Sequence, residues 1–243
     1  LTYEDVTNID SVGIITARST VSIGDSINHI GDTNTAIRFP ANDTFTVETA
    51  GTERLRLDSA GNMGLGITPD GQGATVDSLQ IGSATNLYNE TSDDYTILGN
   101  NVYFDGSNNK YIKTQQSSRL MQNAGEFTFN QAVSGSADAN ITYTTPLKID
   151  ASGNIQVSTT TDTSAHYLKF NANRSNDGDH LGGIYGVWNG NSVGAINILA
   201  GPDTTNKDDG HLQFITYAGG TAGERLRITS DGQIGVNNTS PDA

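Results

Sequence analysis

The sequence contains no cysteine, and apolar, aromatic and charged residues are all scarce in it. Of its 243 residues, 34% are hydrophobic, 7% aromatic and 16% charged. The absence of cysteine excludes disulfide frameworks, thiol catalysis and cysteine-ligated zinc. Because an average globular domain has roughly 45–50% apolar residues, a single thick hydrophobic core is not expected. Small polar residues and 28 glycines take the place of the apolar ones, which is typical of a long, thin, loop-rich molecule.

Basic residues are few as well. Lys and Arg number 13 against 27 Asp and Glu, so the formal net charge is −14. Such a chain repels phosphate groups, which argues against a nucleic-acid partner or an anionic membrane surface. No stretch approaches the run of about 18 apolar residues that a membrane-spanning helix needs, and the N-terminus lacks the layout of a signal peptide. We expect no membrane insertion, and the first residue, Leu1, favours a fragment or a processed product.

A repeated element is present instead of a large core. Residues 53–65 and 224–236 match nearly position for position, and residues 146–157 form a weaker middle copy. In each copy apolar and polar residues alternate around a central glycine, a pattern that predicts a strand, a tight turn and a second strand. The alternating apolar pairs of the three copies are Leu55 and Leu57, Leu147 and Ile149, and Leu226 and Ile228.

The spacing of the copies is too long and too unequal for a solenoid, so it predicts small domains in series. We expect an N-terminal connecting or shaft segment at residues 1–30 and β-modules at 31–70, 71–158 and 159–243. The fold class is all-β with little or no helix; a short helix near Thr2 and Asp5 competes there with extended chain. Alternation predicts further strands at residues 13–21, 36–39, 45–47, 102–104, 127–129, 167–170, 183–188, 195–199 and 211–217.

Residues 190–194 match the G-x-S-x-G pattern of a serine nucleophile, with Asp203 and His211 following in the order of a catalytic triad. A nucleophile elbow needs a helix after the serine, whereas the residues after Ser192 alternate like a strand. The pattern therefore predicts a turn, and no catalytic residue is assigned.

Metal ligands have no convincing spacing. Residues 173–179 and 203–209 are rich in Asp and Asn, which suit calcium, but the EF-hand spacing fails and solvated turns are favoured. The four histidines, His29, His166, His180 and His211, lack the spacing of a zinc site, unless copies of the chain bring one together on a symmetry axis. We predict no cofactor or metal.

One segment combines aromatic and amide side chains in a strand that leads into a turn. Tyr185, Trp188, Asn189 and Asn191 are the candidate contacts for a receptor or glycan. The alternative is that Tyr185 and Trp188 pack in the core of a module.

Two stretches resemble known sequences. Residues 223–241, GERLRITSDGQIGVNNTSP, resemble the ERLRI-x-S-x-G-N-V-G-I-G-T-x-S-P element of bacteriophage tail fibres and tailspikes. Residues 4–18, EDVTNIDSVGIITAR, resemble a segment of structural proteins of marine, especially cyanobacterial, phages. In that family the repeat often precedes a C-terminal intramolecular chaperone, whose sequence is not found here. The chain departs from the element at Asn237 and Asn238, and the middle copy has Thr145 and Pro146 in place of Glu-Arg.

The resemblance implies an elongated, parallel homotrimeric fibre of the interwoven β-sandwich or β-prism type, whose chains cover one another's strand edges. The apolar pairs of the repeats would then face the trimer interior, with Arg54, Arg56, Arg225 and Arg227 on the opposite face beside carboxylates.

The expected function is that of a tail-fibre protein of the virion, extracellular and without catalysis, which mediates host adhesion. Its partners would be a host cell-surface glycan or protein receptor and other virion tail proteins. Two alternatives are a tailspike depolymerase that cleaves host glycan and a self-assembling bacterial surface filament or adhesin.

Overall fold

The computed structural model describes residues 13–14, 16–90, 95–158 and 167–239 of the chain. The chain divides into two compact units, Leu1–His166 (unit 1) and Tyr167–Ala243 (unit 2). Every regular element in the described residues is a β-strand, which confirms the all-β prediction. This part of the chain holds no helix with the length and apolarity of a membrane crossing. The finer division into three modules stays a prediction.

The described residues of unit 1 form fourteen strands. Twelve of them form one open sheet in the order β1-β2-β3-β4-β5-β6-β7-β8-β11-β12-β13-β14, and β9 and β10 form a separate ribbon. All pairs are antiparallel except β5 with β6. The strands are Ser26–His29 (β1), Asp32–Arg38 (β2), Phe45–Thr49 (β3), Thr52–Leu57 (β4), Met63–Leu65 (β5), Val76–Ile81 (β6), Thr85–Glu90 (β7), Tyr95–Asn100 (β8), Tyr103–Phe104 (β9), Asn109–Lys110 (β10), Gln115–Asn123 (β11), Glu126–Gly135 (β12), Thr144–Ile149 (β13) and Ile155–Val157 (β14).

Unit 2 is a five-stranded antiparallel meander in which each strand pairs with the next. Its strands are His180–Trp188 (β15), Asn191–Ala200 (β16), Gly210–Ala218 (β17), Thr221–Ile228 (β18) and Ile234–Val236 (β19).

The repeated element forms the same hairpin three times, as predicted: β4–β5, β13–β14 and β18–β19. The turns are closed alike, because the amide of Gly61, Gly153 or Gly232 donates to the carbonyl three residues earlier. All three glycines have positive φ, between 81° and 88°, a region that glycine enters at no steric cost. Asn237 follows β19 at φ 52°, where Gly66 follows β5 at φ 70°; asparagine tolerates this region, so its departure from the family pattern leaves the backbone path unchanged.

A β-bulge lies at the same place in each repeat. Arg54, Pro146 and Arg225 are the extra residues, each opposite an irregular step in the neighbouring strand. Proline has no amide hydrogen and is tolerated in strands at bulges, which explains how Pro146 replaces arginine in the middle copy. The carbonyl of each bulged residue accepts a hydrogen bond from the chain that leaves the hairpin, at 2.8 to 3.1 Å.

The core of unit 1 is small and lies on one side of β6, β7 and β8. Val76, Tyr88, Ile97 and Val102 are its buried members. Residues that pack against them are Tyr95, Phe104, Met121, Ile141 and Tyr143. The ribbon β9–β10 and the chain before β13 therefore cover this side of the sheet.

Two predicted strands are wrong. The described residues of 13–21 form no strand and are exposed, because they have no neighbouring strand to bond. Residues 167–170 form none either; the ring of Phe170 lies against Gly182, where an added Cβ would be 2.3 Å from the ring. The residues near Thr2, where a short helix competes with extended chain, lie outside the described residues.

Candidate functional site

Unit 1 carries a continuous row of apolar side chains across one face of its sheet. Successive strands place an apolar residue opposite an apolar residue, and period-two alternation keeps them all on one face. We call this the apolar face of unit 1. From strand to strand, the first part of the row is Ile27, Ile37, Val47, Leu55, Leu65 and Ile81. The second part starts at Met63, two residues before Leu65 on the same strand, and runs Met63, Leu79, Leu87, Leu98, Leu120, Phe129, Leu147 and Val157.

Much of this face is open to solvent. Eleven of its side chains are each at least 38% exposed: Ile27, Leu57, Met63, Leu65, Ile81, Leu87, Leu98, Phe127, Phe129, Ile155 and Val157. Apolar side chains exposed side by side across a sheet are unusual on a monomer, and large contiguous patches of this kind mark interaction sites.

Unit 2 has an apolar face of the same kind. Its two rows are Ile184, Ile196, Phe214, Leu226 and Val236, and Ile198, Leu212, Ile228 and Ile234. Ile184, Ile234 and Val236 are more than 60% exposed. The six residues predicted to pack in a trimer all lie on the apolar face of their own unit; five are half-buried, and Leu57 is exposed.

The other face of each repeat is polar and internally bonded. In unit 2 the Arg227 guanidinium donates twice to Glu224, at 2.9 Å each, and Gln213 donates to the same carboxylate. The hydrogen bonds from Arg227, together with the one from Gln213, outweigh the opposing effect of burial and hold the pKa of Glu224 below its usual value. In unit 1 Arg56 donates to Glu53 in the same way, at 2.8 and 2.6 Å. The middle copy replaces this pair with Lys148 and Glu126, 2.7 Å apart.

The bulge corrects one expectation about the arginines. Arg54 and Arg225 were expected beside carboxylates, but Arg54 donates to the Thr49 hydroxyl at 3.0 Å and Arg225 to the Thr216 hydroxyl at 2.8 Å. Residues three apart point to opposite faces of a regular strand. The extra residue reverses this, so the glutamate and the second arginine of the repeat share a face.

The segment with Tyr185 and Trp188 ends at an exposed hairpin. Asn189 and Gly190, with φ of 48° and 83°, form a two-residue turn of the type preferred in hairpins. Trp188 is 78% and Tyr185 47% exposed, so neither packs in a core. The register shift between Gly186 and Val187 has its extra residue, Val193, in β16. Tyr185 and Trp188 are therefore three consecutive steps apart on β15 and their rings point to opposite faces. The structure brings Trp188 beside Asn189 and Asn191 and separates it from Tyr185.

The other motifs form local turns. Gly190 lies in the turn between β15 and β16, and Ser192 lies in β16. The G-x-S-x-G pattern therefore leads into a strand and not into a helix, as predicted. The Asp203 carboxylate accepts the amides of Thr205 and Asn206 at 2.9 Å, the predicted solvated turn, and these bonds lower its pKa. Across the described ranges, no group of three or more His, Asp and Glu side chains is placed to hold a metal ion. His166 lies outside these ranges, and His211 binds Asp177.

A pocket in unit 2 was not foreseen from the sequence. It encloses about 220 Å³ and is lined by Phe170, Arg174, Leu181, Asp203, Lys207 and Asp209, among others. Its walls come from the irregular chain before β15 and from the loop between β16 and β17. The sequence marked both segments, residues 173–179 and 203–209, as rich in Asp and Asn, but no sequence signal joins them because they lie about thirty residues apart.

These features define an all-β protein of open antiparallel sheets that display exposed apolar faces. No family model, curated protein or solved structure matches the chain.

Proposed function

We propose that this chain is a structural protein that assembles with copies of itself through its apolar faces, as a segment of a homotrimeric virion tail fibre. The observation that carries the proposal is the apolar face that crosses all twelve strands of the unit 1 sheet and is exposed on eight of them. Apolar surface of this extent is unfavourable in water, and covering it contributes about 25 cal/mol per Å².

A second copy of the chain is the occupant that the chemistry favours. The rows that form both apolar faces contain no charged residue, although Asp77 shares its face of β6 with Leu79 and Ile81 and the chain as a whole carries a net charge of −14. The repeat generates the same kind of face in each unit, so aligned copies present matching surfaces to one another. Three sheets around an axis cover their apolar faces mutually, and the resemblance to tail-fibre sequences favours this number.

Within this proposal the protein acts outside the cell as part of a virion, beside other tail proteins. Its exposed loops contact a host cell-surface glycan or protein receptor, and it performs no catalysis. The exposed Trp188 hairpin is one candidate contact.

The test is the native mass of the full chain and of Leu98→Asp, measured by light scattering. Leu98 is 51% exposed within its own unit, so a lone chain should tolerate the change within about 0.5 kcal/mol. In an assembly the aspartate would be buried, and the species near three chain masses should be lost. Ser107→Asp adds the same charge to an exposed loop and should leave the trimer intact. A wild-type monomer would contradict the proposal, and a stable dimer would contradict the trimer.

A further inference from the structure

The pocket of unit 2 has an apolar floor. The Phe170 ring lies on Gly182, whose missing side chain provides the space for it. The ring remains 39% exposed, and Leu181 and Ala200 continue the apolar lining. An aromatic ring backed by a glycine offers a flat surface for the C–H face of a ring-shaped ligand.

The walls of the pocket carry two cations and two carboxylates. Arg174 and Lys207 supply hydrogen-bond donors, while Asp203 and Asp209 supply acceptors. These four groups have no net charge together, and such a pocket can both donate to and accept from the same ligand.

Bonds within unit 2 hold these groups in position. The Arg174 Nε donates to the carbonyl of His180 at 3.2 Å, and the Lys207 ammonium donates to the Asn173 side chain. Asp209 accepts the amide of Asp203 at 3.3 Å. A site that is fixed before its ligand arrives loses less conformational entropy on binding.

Lys207 also has an unusual backbone. Its φ is 59°, in the left-handed region that costs a residue with a Cβ roughly 1–2 kcal/mol and favours Gly and Asn. Strained positions of this kind are concentrated at binding sites. A lysine here places an ammonium in the lining of the pocket at an energetic cost that an asparagine would avoid.

We propose that this pocket binds one uncharged, polyhydroxylated six-membered ring, such as the terminal hexopyranose of a surface glycan. Each sugar hydroxyl both donates and accepts, which suits walls of balanced charge, and the ring's C–H face suits Phe170. The volume of about 220 Å³ is below the roughly 300–1,000 Å³ of pockets for drug-sized ligands, so a single ring fits. The proposal deepens the adhesive role proposed above and rests on it for its biological meaning only.

The experiment is titration of the full chain with the methyl glycosides of glucose, galactose and mannose, and with sodium glucuronate, followed by saturation-transfer NMR. At least one neutral glycoside should bind. Lys207→Asn keeps a residue suited to the left-handed backbone and should weaken binding about tenfold, the effect of losing one charged hydrogen bond. Phe170→Leu should weaken it as well. Trp188→Ala, at the exposed hairpin outside the pocket, is the matched control and should bind as the wild type does.

Three results would overturn the proposal: glucuronate binding without any neutral glycoside, binding lost in Trp188→Ala but kept in both pocket variants, or no binding of any probe. The oligomeric state separates this proposal from the previous one, because the pocket lies within unit 2. A monomer that binds a glycoside overturns the fibre alone, and a trimer that binds none overturns the pocket alone.

Discussion

The ion pair of Glu224 and Arg227 is the best-shielded charged pair in the repeats. The side chains are 7% and 15% exposed, against 28% and 22% for Glu53 and Arg56. Removing one partner of a shielded pair leaves the other charge without its hydrogen bonds, which costs more than the pair itself contributes. The two copies of one motif thus differ in energy because their surroundings differ.

We expect Glu224→Gln to lower the free energy of unfolding by about 1–3 kcal/mol at pH 7. The folded protein holds the pKa of Glu224 below its usual value, so the stabilisation is complete above that usual value, near 4.5. It is lost as the pH falls from there through the folded pKa, because the unfolded chain takes up the proton first. Urea unfolding of both proteins from pH 7 to pH 3 measures the difference, which should shrink below about pH 4.5.

Glu53→Gln is the control in unit 1 and should cost less, because water screens that pair more. A difference between wild type and Glu224→Gln that stays constant down to pH 3 would contradict the assigned ion pair.

At the scale of the element, the repeated hairpin depends on one backbone conformation. Gly232 has φ 81° and an added Cβ would touch nothing within 4 Å. The cost of a side chain there is therefore conformational and not steric. The same holds at Gly61 and Gly153, with φ of 88° and 84°.

Gly232→Ala should destabilise unit 2 by about 1–2 kcal/mol, the cost of the left-handed region for a residue with a Cβ. Gly232→Asn should recover part of the loss, since asparagine tolerates this region. The readout is thermal unfolding at one fixed protein concentration. Gly186→Ala, in a strand of the same unit with ordinary contacts at 3.7 Å, should change stability little. Equal losses in both alanine variants would contradict the assigned turn.

The sequence predicted elements well where apolar residues alternate. Leu55 and Leu57, or Leu226 and Ile228, mark their strands because the alternation matches the pleat. The same rule missed β6 and β7, where Ser78, Gln80 and Asn86 point to the buried side and hide the pattern. It also predicted a strand at residues 13–21. That prediction was wrong because extended propensity does not supply a partner strand. The bulge at Arg54 and Arg225 depends on pairing, so spacing alone put both arginines beside carboxylates.

The candidate sites could be predicted only in part. Trp188 was identified because its aromatic ring and its asparagine neighbours are adjacent in sequence. The pocket around Phe170 and Lys207 depends on two loops that meet only after β15 to β17 have paired. Each loop is rich in Asp and Asn, but a local pattern within one loop cannot indicate that it meets the other.

For the whole molecule, charge and apolar surface have opposite effects on assembly. Each chain carries a net charge of −14, so copies repel one another, while their apolar faces attract. Salt screens the repulsion within about 8 Å at physiological ionic strength and leaves the apolar attraction in place.

We therefore expect association to tighten as sodium chloride rises from about 10 mM to about 150 mM, where the screening length falls from about 30 to about 8 Å. Sedimentation equilibrium of the full chain would measure the change in the dissociation constant. An interface made of ion pairs would respond in the opposite direction. Dissociation on adding salt would thus contradict an interface formed by the apolar faces.

The order of the strands has a consequence for how the protein is made. In both sheets nearly every strand pairs with the one that directly precedes it in the chain. Such a topology has a low contact order, and chains of this kind fold fast because few long loops must close. Each hairpin can form as soon as its second strand leaves the ribosome, without waiting for distant segments. Synthesis then delivers strands that are already paired, and in the proposed assembly only the meeting of separate chains depends on concentration.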